Sequence, residues 1–116
     1  MVLIVGVGTL FAGAAAASTD RVALVLGNAA YKNVNPLKNP VNDAEAISAA
    51  LGRVGFDVTL RVDGTAQQMR DAIAEFSDKA RVAKVVFVYY AGHGIQIGGR
   101  NYLVPIDTKT DRKSVV

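Results

Sequence analysis

The 116-residue chain contains no cysteine and a single histidine, His93. Without cysteine it forms no disulfide and no thiolate metal site, and one histidine excludes a zinc cluster of the usual ligand spacing. No compact acidic cluster offers a calcium site, and no cofactor is expected. The same absence leaves the redox compartment undecided. Blocks of one charge are also missing. The net charge is +3, with basic residues scattered from Arg21 to Lys113 and no strip in which they interleave with aromatics. That pattern is a solvated surface and not a nucleic-acid interface. Neither G-x-x-x-x-G-K-[ST] nor a G-x-G-x-x-G following a strand occurs, so the chain carries no phosphate loop. Internal repeats are absent.

What is present is apolar. Hydrophobic residues make up 51% of the chain, above the range of a disordered polymer and enough for one small domain. Part of this content sits in residues 2–19, which carry no charge and end in an alanine run where Ala15-x-Ala17 fits a signal peptidase site. Residues 1–17 are therefore read as a signal peptide, with Ser18 as the first mature residue, although no Lys or Arg precedes the apolar run. The expected destination is the periplasm or the exterior. An uncleaved leader would anchor the chain at a membrane, and its length is marginal for the roughly 20 residues a spanning helix needs.

Three further stretches alternate with two helical ones. RVALVLGN, from Arg21, and VVFVYY, from Val85, are apolar on both faces, as central strands of a parallel sheet must be. Between them, Phe56, Val58, Leu60 and Val62 alternate with polar residues and predict an edge strand with one wet face, Asp57 and Asp63 pointing to solvent. A helix capped by Asn39 with Pro40 first buries Ala44, Ile47, Leu51 and Val54, and ends at Gly55. A second opens on the Thr65/Gln68 capping box and buries Met69, Ala72, Ile73, Phe76 and Ala80, with Glu75 and Lys79 paired outside. Right-handed crossovers then give the strand order 2-1-3, leaving one side of the third strand open toward a fourth. An open central edge invites self-association. A hairpin follows, Ile95–Ile97 and Tyr102–Val104 around Gly98-Gly99-Arg100-Asn101. Residues 108–116 form a polar tail. Asn28 and Tyr31 fix the loop after the first strand, and Tyr89 and Tyr90 serve packing.

The third strand ends in Tyr90-Ala91-Gly92-His93-Gly94. This places the one side chain that titrates near neutral pH beyond the carboxyl end of a central strand, where open α/β sheets bind ligands. RVALVLGNAAY, LKNPVNDAEAISAALGRVGF, VVFVYYAGHG and NYLVPID, in this order, resemble the caspase-like cysteine peptidases, and most closely the bacterial members related to metacaspases. The resemblance runs from Arg21 to Asp107, so residues 18–107 are read as a partial caspase-like domain. It implies an α/β three-layer sandwich, a mostly parallel sheet with helices on both faces.

The resemblance also implies chemistry. In that family a cysteine thiolate attacks a peptide carbonyl and a histidine serves it. His93 would be the acid/base, and the Gly94 backbone N–H would be a donor of the oxyanion hole. Polypeptide is the implied substrate. Arg21 matches the place of an arginine in the acid-binding pocket of animal caspases, a place where basic residues are common in relatives with other preferences. The departure from the family is the nucleophile. In caspases the cysteine follows the histidine by about 50 residues, near position ~143, beyond residue 116. The chain is thus read as a domain truncated before its cysteine-bearing strand. The alternatives are a non-catalytic caspase-like binding or regulatory module, and an unrelated doubly wound ligand-binding domain.

Overall fold

The computed structural model describes residues 2–8, 18–109 and 115–116. Its elements are β1 (Val2–Gly8), β2 (Ser18–Gly27), α1 (Pro40–Arg53), β3 (Phe56–Val62), α2 (Ala66–Ala80), β4 (Val85–Ala91), β5 (Gly94–Ile97) and β6 (Arg100–Leu103). The main sheet runs β1-β4-β2-β3, and β5-β6 is a separate hairpin. β3, β2 and β4 are parallel, in the order 2-1-3 expected of the three internal strands. The register aligns Gly27 with both Val62 and Ala91. The loops after all three parallel strands therefore leave from one edge of the sheet.

The helices cover opposite faces, because alternate residues of a strand point to opposite sides. Val22, Leu24 and Leu26 of β2 join Tyr90 of β4 and pack on Met69 and Phe76 of α2. Val25, with Tyr89 and Ala91, packs on Ala44, Ile47 and Leu51 of α1. The result is a three-layer α/β sandwich. The close seat of α1 depends on Gly27, where a Cβ would meet Ala44 Cβ and Pro40 O at 2.7 Å.

Several expectations are corrected in detail. The open side of β4 is covered: β1 pairs with it antiparallel along its whole length, Val2 opposite Ala91 and Gly8 opposite Val85. The apolar run read as a leader thus includes a strand here, because its backbone groups find partners on β4. The proposed cleavage site after Ala17 lies outside the described residues. Among the described residues no helix is long and apolar enough to cross a membrane. The polar face of β3 is only partly wet, since Thr59 is buried. Glu75 and Lys79 do not pair with each other. Glu75 meets Arg61 at 3.6 Å and Lys79 meets Asp57 at 3.4 Å, tying α2 to β3, and such exposed pairs contribute little. Asn39 occupies the cap position of α1 without a side-chain bond, and Val54 is the C-cap and is exposed. The Thr65/Gln68 capping box forms as expected, both reciprocal bonds being present. The hairpin turn is tighter than expected, Gly98 and Gly99 alone joining β5 to β6. The tail is not featureless either: Val116 exchanges both backbone bonds with Leu103, on the outer side of β6.

Candidate functional site at the carboxyl edge of the sheet

Three loops meet beyond the carboxyl ends of the parallel strands, and buried polar side chains join them. Asn28, directly after β2, is the hub of the first set. Its Nδ2 donates to Val104 O at 3.2 Å and lies 3.3 Å from Met69 Sδ. Its Oδ1 accepts the Gly64 N–H at 3.1 Å. Asp63, expected in solvent, does other work. At φ 50°, a left-handed conformation that Asp tolerates better than most residues, its Oδ1 accepts the N–H groups of Ala29 and Ala30, both at 2.9 Å. Asp107 reaches back to the first turn of α2, accepting the Ala66 N–H at 2.9 Å, where a carboxylate suits the helix dipole. Asn28 and Tyr31 do fix the loop after β2, and Asp63 is the partner that sequence reasoning missed.

His93 sits in this knot, half-buried. Its N–H donates to Tyr31 Oη at 2.8 Å, and its C=O accepts from Tyr90 Oη at 2.6 Å. Its ring lies against that of Tyr31, with centroids 4.6 Å apart and planes tilted by 53°. Nε2 is 2.8 Å from the Asn35 carbonyl oxygen. A carbonyl only accepts, so Nε2 carries the proton, and in the neutral ring Nδ1 is the basic nitrogen. Gly92 is obligatory in this setting. A Cβ there would press on the Tyr90 hydroxyl and meet Tyr31 Oη at 2.8 Å.

Gly94 begins β5. Val104 N donates to His93 O at 3.2 Å, which makes Gly94 and Leu103 a non-hydrogen-bonded pair of the hairpin. The Gly94 N–H is therefore directed away from β6. His93 and Gly94 line a cleft of about 530 Å³ whose other walls are largely aliphatic, Val34, Ile95, Ile97, Val104 and Val115 among them. The two residues singled out from sequence thus lie side by side on one cleft. Arg21 does not join them. It pairs with Val85, the first residue of β4, and so lies at the opposite edge of the sheet, six strand residues or roughly 20 Å away. Its Nη1 donates to Val54 O at 3.0 Å.

The electrostatics separate the phenols from ordinary tyrosines. Burial pushes Tyr90 far above the usual range, with its bond to Tyr31 acting in the same direction. Burial also raises Tyr31, against the opposing effect of its bonds to Tyr90 and His93. Both are protonated donors at any physiological pH. Tyr90 is thus more than packing: it is fully buried and hydrogen-bonded at its hydroxyl. Among the described residues no group of three or more His, Asp or Glu side chains is placed to hold a metal ion.

A caspase domain model matches residues 20–114. The human mucosa-associated lymphoid tissue lymphoma translocation protein 1 is 34% identical over 95 residues, covering 82% of this chain and 12% of the human protein. Its mouse homolog is 33% identical over 95 residues, covering 82% of the chain and 11% of that protein. The chain therefore spans only a small part of the curated relatives it matches.

Proposed function

The chain belongs to the caspase-domain family, and from that premise we propose that it is the histidine-bearing part of a cysteine endopeptidase. The nucleophile is a cysteine from polypeptide outside these 116 residues, which contain none. In this reading His93 Nδ1 takes the thiol proton as sulfur attacks the scissile carbonyl. The Gly94 N–H donates to the oxyanion, and the imidazolium returns its proton to the leaving amine. Water, deprotonated by the same nitrogen, then hydrolyses the thioester and restores the thiol. The observation that carries the reading is the bond from His93 Nε2 to the Asn35 carbonyl at 2.8 Å. It assigns the tautomer such a base requires, on a residue that shares its cleft with the Gly94 backbone. Family membership sets aside the unrelated ligand-binding domain.

The lack of any cysteine favours one second reading, a non-catalytic caspase-like module that binds or regulates. The two separate on one longer polypeptide, that encoded when the gene is read past codon 116. The peptidase reading requires a cysteine about 50 residues after His93. That polypeptide then cleaves unstructured peptides in a thiol-alkylator-sensitive way, and His93→Ala lowers kcat/KM by about 10²–10⁴-fold. No cysteine there, or no cleavage, leaves the binding module, and cleavage indifferent to His93→Ala overturns the role given to His93. Export with removal of residues 1–17 is part of the same proposal. Removal would take β1 from the sheet and open the β4 edge to another strand.

A further inference from the structure

The His93 main chain is held at both its polar groups by phenols, and the protons can be counted. Each tyrosine hydroxyl has one proton and two lone pairs. Tyr31 Oη spends one lone pair on the His93 N–H. It lies 2.9 Å from Val104 O and 3.2 Å from Tyr90 Oη. Tyr90 Oη lies 2.6 Å from His93 O and 3.2 Å from Val104 O. Carbonyls only accept, so the assignment using the shortest contacts has Tyr31 donating to Val104 O and Tyr90 donating to His93 O. Replacing the Tyr31 hydroxyl by a hydrocarbon releases the His93 N–H, whereas without the Tyr90 hydroxyl the His93 carbonyl keeps only the longer bond from Val104 N. The raised phenols keep both protons throughout the range where an imidazole titrates.

Tyr31 does a second thing that Tyr90 does not. Its ring also bears on the imidazole, and four residues along the same loop Asn35 supplies the carbonyl that receives Nε2–H. One loop thus grips both the main chain and the side chain of His93. We propose that Tyr31 is a positioning residue for His93, its hydroxyl fixing the His93 peptide and its ring fixing the imidazole face, with Tyr90 as the second jaw of the clamp. Catalysis by His93 is the reading on which the consequence rests: the clamp holds the ring in the Nε2–H tautomer, with Nδ1 as the base. The clamp itself needs no thiol, so the 116-residue chain suffices to test it.

The experiment is a nitrogen-15 NMR pH series of the histidine-labelled chain, read at its alkaline plateau, with His93 amide exchange measured separately. Four chains are compared: the unaltered one, Tyr31→Phe, Tyr31→Leu and Tyr102→Phe, the last removing a phenol outside the clamp. The unaltered chain should show Nε2 as the protonated nitrogen. Tyr31→Phe should speed His93 amide exchange about tenfold, the loss expected for one hydrogen bond. Tyr31→Leu should in addition bring in the Nδ1–H form. Tyr102→Phe should match the unaltered chain. Unchanged His93 exchange in Tyr31→Phe overturns the proposal. So does exchange accelerated equally in α2 and at His93, the mark of lost stability without lost positioning. If the peptidase reading fails instead, the extended polypeptide is inactive while these spectra come out as stated.

Discussion

Asn28→Ala tests whether the carboxyl edge is held together by buried polar ties. Asn28 is almost wholly buried, and its amide joins three separate segments: Gly64 before α2, Val104 after the hairpin, and Met69 of α2. Truncation removes two side-chain hydrogen bonds to the backbone, each worth about 1 kcal/mol net. It also strands the Gly64 N–H, which sits in a buried residue and costs at least ~1 kcal/mol more when unpaired. The Val104 carbonyl keeps Tyr31 as its donor and adds no further cost. The total is about 3 kcal/mol, equivalent in a domain of this size to a melting shift on the order of 15 °C. Urea denaturation followed by circular dichroism measures it directly. Asn28→Asp separates the two halves of the amide. It keeps an acceptor for Gly64 but sets a carboxylate oxygen against the Val104 carbonyl, and it should destabilise at least as much. A loss below about 1 kcal/mol for Asn28→Ala, with an unchanged urea slope, would refute the reasoning and move the weight of the knot to Asp63 and the tyrosines.

Alkali should unfold the protein in a defined window. The buried phenols of Tyr31, Tyr89 and Tyr90 are all raised. Their contribution is whole below about pH 10 and is lost as pH rises beyond it, because the unfolded chain releases those protons first. Each phenol contributes a slope of up to about 1.4 kcal/mol per pH unit, so Tyr90→Phe should flatten the decline measured by urea titrations between pH 9 and 12 by about that amount. Asp63→Ala, losing two amide acceptor bonds at a left-handed position, should cost about 2 kcal/mol, and Asp63→Asn less than half of that. Equal losses in the two would mean that the charge matters more than the acceptor. Mass spectrometry of the exported protein should find Ser18 as its first residue, and an intact residue 1 would remove the leader from the account.

The parts of the fold legible in the sequence are those that repeat at short range. RVALVLGN and VVFVYY announce central strands because both faces must be covered, and helices on both faces cover them. The Thr65/Gln68 box is visible because its two bonds span three residues. β1 was hidden by ambiguity of another kind. An uncharged run of Val, Leu and Gly carries the pattern of an export leader, and the same residues form a strand where the far side of β4 offers them backbone partners. Glu75 and Lys79 show a local rule losing to a distant partner. The four-residue spacing permits their pair, yet β3 offers Arg61 and Asp57 on the face that α2 covers.

The site divides along the same line. His93 and Gly94 could be found because they follow an apolar strand directly, and the strand's end fixes where they lie. Their partners could not be found that way. Tyr31 is 62 residues from His93, Asn35 is 58 away, and Asp63 is 34 from Ala29. No periodicity links such positions, and Tyr90 in an apolar run is indistinguishable from a core aromatic until its hydroxyl is seen to meet a carbonyl. One local signal did exist. A glycine before the histidine, with tyrosines on the strand and in the facing loop, is what a peptide needs when two phenols approach it too closely for a Cβ. The sharpest form of this point is Gly92→Ala. One added methyl changes no hydrogen-bonding group and no charge, yet it must displace the hydroxyls of both Tyr31 and Tyr90. It should therefore reproduce at His93 the faster amide exchange of Tyr31→Phe, although His93, Tyr31 and Tyr90 are all unaltered. A Gly92→Ala chain with unaltered His93 exchange would show that the phenols yield without releasing the backbone they hold.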